Sequence, residues 1–469
     1  MTISRRTFLG GAAALTGAAI RAQAPLIPPP EKNAPSPSPA PALAREQVEA
    51  SLRPLLRCES PELWRLVVDA YHDCILGKLR PPEPPFRHAW LVPGGAYVGQ
   101  WLWDTMFVVD LLAVLPGQQE VIRGVFQNYW DFQDRWDAVK PGYAHGMVPN
   151  SINPFRTNGK AWEKFPAYSQ APLLAWGMER VFRKNHDHEL LRVGLPRLEA
   201  FHEWYWRERD VTKVGLIGLG AYSGFTQHAR WETYDFEVDL DGLKMTPHPT
   251  RKGEGEGNWY GDILIPANTA YLLLSERCLA EMAKEMGDSA MAKRRKARLD
   301  AGSASMREHM WDEDKGCFLA VQRDTLKKAT VATVGGFMPL AAGVPTNRQA
   351  ARMAETLCSS AWATPIPVPT VSRDDARFRS NAFWRGDVWP APNYQVASGL
   401  FRYGHKSPCN RIADASIENA LRVGISERYD SVTGQPLGVR GLGMSASLIT
   451  MALDGLSAKW QVRPNKEKS

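Results

Sequence analysis

The sequence predicts an all-α fold, a closed ring of helix pairs. Three observations lead there. Apolar residues recur at helical spacing, as in Leu173, Leu174, Met178, Val181 and Phe182, or in Leu191, Leu195, Leu198, His202 and Tyr205. Strand-like alternation is limited to short pieces such as 215–219 and 317–321. The conspicuous loops, 138–168, 208–262 and 424–442, follow alternate helices. A solenoid would carry even loops and a repeat of roughly 34 or 40 residues, and no such repeat is present. Long loops after alternate helices instead gather on one face of a ring and build a cavity there.

The elements follow in order. In residues 1–24, Arg5-Arg6 precede an apolar run from Phe8 to Ile20, and small residues surround Gln23. That is a secretory signal of twin-arginine type, so a periplasmic or secreted protein is expected. The run is too short to span a bilayer comfortably, and no stable membrane insertion is expected after processing. Twin-arginine export carries folded proteins, so Cys58, Cys74, Cys278, Cys317, Cys358 and Cys409 read as free thiols. Residues 25–43 form a linker with eight prolines between 25 and 41. The globular body spans 44–462 and a polar tail 463–469.

Ser60-Pro61-Glu62 starts a helix whose apolar face holds Leu63, Val67, Ala70 and Ile75. Further helices are predicted at about 103–116, 118–136, 170–184, 187–207, 264–286, 289–311, 347–359, 391–404, 409–423 and 443–458.

Hydrophobic residues make up 44% and charged ones 23%, which excludes disorder and collagen as whole-chain readings. The formal charge is +7, and residues 1–24 hold three arginines and no acid, so +4 remains without them. With no basic block interleaved with aromatics, no nucleic-acid partner is expected. The 17 Trp exceed ordinary core needs, and Trp also stacks on the apolar faces of sugars.

Four segments can carry chemistry. Residues 93–107 bring Tyr97, Gln100, Trp101, Trp103 and Asp104 to a helix start, with Asp104 either an N-cap or a carboxylate offered to a ligand. Residues 228–242 crowd Glu232, Asp235, Glu237, Asp239 and Asp241, and crowded carboxylates raise one another's pKa as a general acid requires. The alternative is a solvated acidic loop. A calcium loop beginning at Glu237 fails because His248 stands where the bidentate glutamate belongs.

Residues 381–394 supply Trp384, Arg385, Asp387 and Trp389. Residues 426–438 place Glu427 and Asp430 in a Gly-rich loop. Two acid-bearing loops flanked by aromatics suit a glycosidase, with one acid, one base and a sugar between them. The glycines of 253–257 are interleaved with acids that would repel phosphate, and HExxH and GxSxG motifs are absent. No metal and no cofactor are expected.

At these residues the chain resembles the trehalase and α-glucosidase clan, glycoside hydrolase families 37 and 63, over about 60–460. Pro93-Gly94-Gly95 and Trp103-Asp104 resemble the first trehalase pattern. Ser169-Gln170-Ala171-Pro172 is similar to the family's SQPP turn, and Thr233-Tyr234-Asp235-Phe236 to its SGWDF string. Phe383-Trp384-Arg385-Gly386 with Trp389-Pro390 resembles YWRGPxWP, and Glu427-Arg428-Tyr429-Asp430 resembles the string that carries the base.

The resemblance implies an (α/α)6 barrel and inverting hydrolysis of a small α-glycoside. Asp235 would be the acid and Glu427 the base, with Trp103, Asp104, Gln170, Trp384, Arg385 and Trp389 around the sugar. Ala96, Gly99 and Tyr168 replace trehalase residues that serve trehalose, and Asp387 stands where family 63 has proline. Within the enzyme class trehalase is the alternative. Outside it, the alternative is a non-catalytic or lyase-type carbohydrate-binding protein, against which the paired acids speak.

Overall fold

The computed structural model describes residues 43–154, 166–224, 232 and 237–466. The expected signal segment, most of the expected linker, the end of the tail and Asp235 lie outside them. The first helices are Arg45–Leu52 (α1) and Pro61–Ala70 (α2), the latter capped by Ser60, whose hydroxyl accepts the Leu63 N–H at 3.1 Å. Leu102–Leu112 (α3) and Gln119–Val139 (α4) follow, then Leu174–Asn185 (α5) and His188–Glu208 (α6). Pro266–Glu285 (α7) and Ser289–His309 (α8) come next, then Pro339–Ala342 (α9) and Asn347–Cys358 (α10). The last are Pro390–Arg402 (α11), Lys406–Val423 (α12) and Ser447–Leu453 (α13).

Burial sorts these helices by sequence. Every residue of α3 is buried, as is most of α7. A helix apolar on all sides needs neighbours on all sides. Accordingly α3 packs on α5, α5 on α7, α7 on α9, α9 on α11, α11 on α13, and α13 on α3. The alternate helices are polar on one face and cover this set from outside. Thus α8 runs along α7, α6 lies on α5 and α7, and α12 covers α11 and α13 and meets α2.

The short α9 escapes the sequence reading. Its approach is Val334-Gly335-Gly336-Phe337, a single 3₁₀ turn, and two glycines and a proline in so few residues give no helical signal. Gly399 lets α11 approach it, because a Cβ there would stand 2.5 Å from Leu340 Cβ.

Strands are short, and none forms a large sheet among the described residues. The alternation at 215–219 does not make a strand. Pairing begins one residue later, where Gly220–Ala221 joins Trp259–Gly261, with Met245–Pro247 on its other side. Cys317–Phe318 and Val321–Gln322 do pair, with Trp311–Asp312 and Ile263–Leu264. Arg463–Pro464 pairs with Leu56–Arg57, so the body continues two residues into the expected polar tail. All six cysteines are free thiols, four of them buried. No described helix is long and apolar enough to cross a membrane.

Candidate active site

Glu427 sits on Ser426–Tyr429, paired antiparallel with Pro436–Arg440. The register slips between Ser426 and Arg428: Gly438 and Val439 on the partner strand stand opposite the single residue Glu427, so the partner strand carries a bulge that distorts the ladder at Glu427. Its carboxylate is held from two sides. The Tyr97 hydroxyl donates to Oε1 at 2.8 Å and the Val439 N–H donates to Oε2 at 2.8 Å. Gly438, at φ +70°, leaves the space that Oε2 occupies, since a Cβ there would lie 2.1 Å from it. Glu427 is 4% exposed, more enclosed than a base facing bulk water would be.

Asp104 stands in the first turn of α3, and the N-cap position falls to Trp101 instead. The free donors at this helix start are met from neighbouring loops, as helix ends require. Leu102 N–H donates to the Asn150 carbonyl at 2.9 Å, and Trp103 N–H to Gln170 Oε1 at 3.2 Å. Gln170 is fixed in turn through its own carbonyl, which accepts from the Tyr205 hydroxyl. Burial pushes the Asp104 carboxyl up to about 7; its own backbone N–H pulls it back and the nearby Glu427 charge raises it further. The two acids therefore share one electrostatic environment, although one belongs to an early helix and the other to a strand near the end of the chain. The Trp103 ring packs into the interior against Phe107 and Tyr271, with centroids 6.1 and 6.4 Å away.

The Trp-Arg-Gly-Asp segment is tied to the Glu427 strand. Val388 and Tyr429 exchange backbone hydrogen bonds of 2.8 and 2.9 Å. Trp384, at φ +51°, is fully buried and stacks on Trp389 with centroids 4.5 Å apart and 16° between planes. Both rings thus lie within the wall. Arg385 makes a bidentate pair with Asp241, at 3.1 and 2.9 Å. That pair fastens the acidic loop to the segment tied to the Glu427 strand.

In the acidic loop, Glu232, Asp239 and Asp241 each have a separate partner. Glu232 is buried in a bidentate pair with Arg209, whose Nε donates at 2.9 Å, and it also accepts the Gly220 N–H at 2.7 Å. The Arg209 guanidinium lies 4.6 Å from the Trp204 ring and donates to the Tyr143 hydroxyl at 2.8 Å. Asp239 accepts from the Thr333 hydroxyl at 2.6 Å, and burial pushes it up to about 7, with Asp241 a minor cause. Glu232 is therefore paired with Arg209. Asp235 itself lies outside the described residues, and so does its separation from Glu427.

Asp430 is occupied by the turn after the strand. Its Oδ1 accepts the N–H groups of Val432 and Thr433 at 2.8 and 2.9 Å, so it shapes the loop. The structure thus brings Asp104, Gln170 and Glu427 together with Tyr97, which the sequence marks only as part of an aromatic segment. No local signal pairs Tyr97 with a glutamate so far along the chain. Among the described residues no set of His, Cys, Asp and Glu is arranged to hold a metal ion.

The helical body carries a clamped, buried glutamate within electrostatic reach of a helix-borne aspartate, an arrangement suited to carboxylate chemistry. The chain matches the mannosylglycerate hydrolase MGH1-like glycoside hydrolase domain over residues 97–445, and it belongs to that family. It is a glycoside hydrolase of the family 63 type.

Among its relatives, the mannosylglycerate hydrolase of Thermus thermophilus is 22% identical over 77% of this chain and 96% of that protein. Mannosylglycerate hydrolase MGH1 of Selaginella moellendorffii is 24% identical over 73% and 78%. The trehalase of Oryctolagus cuniculus is 25% identical over 55% of this chain and 46% of its own. In fold, the chain resembles a family 63 mannosylglycerate hydrolase of Thermus thermophilus solved with Tris and D-glycerate. Its TM-score is 0.65 at 20% identity, covering 82% of this chain and 98% of that one. The structure of that enzyme with glucose gives a TM-score of 0.61 at 21% identity, over 77% and 94%.

Proposed function

We propose that this protein is an exported, inverting hydrolase of a small α-glycoside, with Glu427 as general base and Asp235 as general acid. The observation that carries the reading is the clamp on Glu427. Two donors hold the carboxylate in one direction beside buried Asp104, and each oxygen keeps a lone pair for a water proton. In the proposed reaction Glu427 takes a proton from water as that water attacks the anomeric carbon. The glycosidic bond breaks, and Asp235 gives its proton to the departing oxygen. The attack comes from the face opposite the leaving group, so the configuration inverts.

The fold reading that goes with it is the (α/α)6 barrel. Helices α3, α5, α7, α9, α11 and α13 would form the inner ring, and α4, α6, α8, α10, α12 and α2 the outer one. The neighbour order of the inner helices supports it. Residues 1–24 would be the twin-arginine signal, 25–43 the linker and 44–462 the hydrolase domain, giving a periplasmic or secreted enzyme.

For the substrate we infer a hexose α-linked to a small hydroxy acid such as glycerate. The mannosylglycerate hydrolase alignment spans 96% of that relative, whereas the trehalase alignment spans 46%. The replacements at Ala96, Gly99 and Tyr168 also speak against trehalose. The test is turnover of α-mannosylglycerate, α-glucosylglycerate and trehalose by the purified protein, with the first-formed anomer followed by NMR. The β-anomer from a glycerate substrate is expected. No turnover of any α-glycoside, or release of the α-anomer first, would sink the reading.

A further inference from the structure

Asp387 is an acid in an aromatic wall. It is fully buried, and three donors converge on it: Thr370 Oγ1 at 2.9 Å, Trp389 Nε1 at 3.1 Å and Arg428 Nη1 at 3.2 Å. Trp389 is the ring stacked on Trp384. Arg428 is the residue next to Glu427 in sequence. Its guanidinium also donates to the Asn381 carbonyl at 3.0 Å and lies 5.4 Å from the Phe383 ring.

The main chain doubles this link, because Val388 bridges Tyr429. Residues 428 and 429 are thus both fastened to 387 and 388. On its other side Glu427 is fastened to Tyr97 and Val439. The strand position of Glu427 is held between two anchors, and Asp387 is the charged part of one of them.

We propose that Asp387 is a positioning residue, which sets through Arg428 the direction in which Glu427 presents its carboxylate. The inference rests on Glu427 being the base. Burial pushes the Asp387 carboxyl up to about 7, and Arg428, Thr370 and Trp389 pull it back; in its ionised form it only accepts hydrogen bonds, which suits three donors and holds the guanidinium in this water-poor wall. The amide of Asn keeps the volume and one acceptor but turns a donor toward this ring of donors. Arg428 then has a weaker partner and the strand carrying Glu427 has a looser anchor. A base displaced by a fraction of an ångström loses rate while sugar contacts elsewhere persist.

The test is a double-mutant cycle of Asp387→Asn and Arg428→Gln, assayed on an α-glycoside that the wild type hydrolyses, with melting temperature measured alongside. Asp387→Asn should lower kcat by roughly tenfold or more, with KM within about twofold of wild type. Arg428→Gln should do the same. The double variant should be no slower than the slower single one, because both act on one link. Unchanged kcat in either single variant, losses that multiply, or a loss that merely tracks the melting temperature would overturn the proposal. If Asp387→Asn does not fold, the kcat-against-KM split of Arg428→Gln decides. A wild type inert on every α-glycoside would instead remove the hydrolase reading, and this inference with it.

Discussion

The Tyr97 hydroxyl donates to Oε1 of Glu427 at 2.8 Å across a sequence separation of 330 residues. It joins the turn before α3 to the strand before α13. One consequence is kinetic. Tyr97→Phe removes the donor but keeps a ring beside Trp101, whose centroid lies 6.1 Å away. Among the described residues Glu427 then keeps the Val439 amide and swings more freely. We expect kcat to fall by about tenfold to a hundredfold while the fold, read by circular dichroism, is retained. Undiminished turnover would show that the Val439 amide alone orients Glu427.

The proposed roles of the two acids separate on leaving-group dependence. Glu427→Gln keeps the shape but cannot take a proton, so turnover should vanish for every substrate while sugar binding, read by calorimetry, persists. Asp235→Asn should fail on natural glycosides yet be partly spared on aryl glycosides with very good leaving groups, which need less protonation. If Glu427→Gln works near the wild-type rate, Glu427 is not the base. Asp430 is then a poor substitute, because its carboxylate is engaged by the turn at Val432 and Thr433.

Much of this was legible in the sequence because inner helices advertise themselves. The largely apolar run of α3 and the periodicity of α5 and α6 place those elements to within a few residues. The helix α9 was not legible, since a four-residue helix after two glycines is stabilised by packing on α7 and α11 rather than by propensity. The site divides the same way. Glu427, Asp104 and Gln170 announce themselves in local strings. What each acid is paired with does not, because Tyr97 with Glu427, Arg209 with Glu232 and Asp387 with Arg428 are tertiary choices. That is why the crowded acids of 232–241 read as a repelling cluster, while Glu232, Asp239 and Asp241 each have a separate partner.

Export is testable independently of catalysis. Changing Arg5-Arg6 to a Lys pair should leave the protein in the cytoplasm, as judged by fractionation and immunoblot, if the signal is of twin-arginine type. Unchanged export would assign the segment to the general secretory route.

The last prediction concerns two aspartates on one helix whose responses to pH oppose each other. Both belong to α3 and both are buried. Burial pushes the Asp110 carboxyl up, but Arg180 and Lys184 override it and hold it at about 2. Arg180 Nε donates to it at 2.9 Å and Lys184 also pairs with it. Burial has no such opponent at Asp104, which is pushed to about 7. Against an unfolded value of about 3.8, Asp110 contributes stability above that pH and loses it as pH falls through about 2. Asp104 does the reverse, contributing below about 3.8 and losing it as pH rises through about 7. Asp104→Asn should therefore melt higher than wild type near pH 8, by an amount on the order of a few kcal/mol, and nearly with it near pH 4. Asp110→Asn should melt lower at neutral pH, because Arg180 and Lys184 lose their buried partner, and the gap should close in strong acid. Thermal melts followed by circular dichroism across this range decide both. If Asp104→Asn is instead less stable near pH 8, the Asp104 carboxylate is held ionised in the folded enzyme, and the shared environment with Glu427 has been read with the wrong sign.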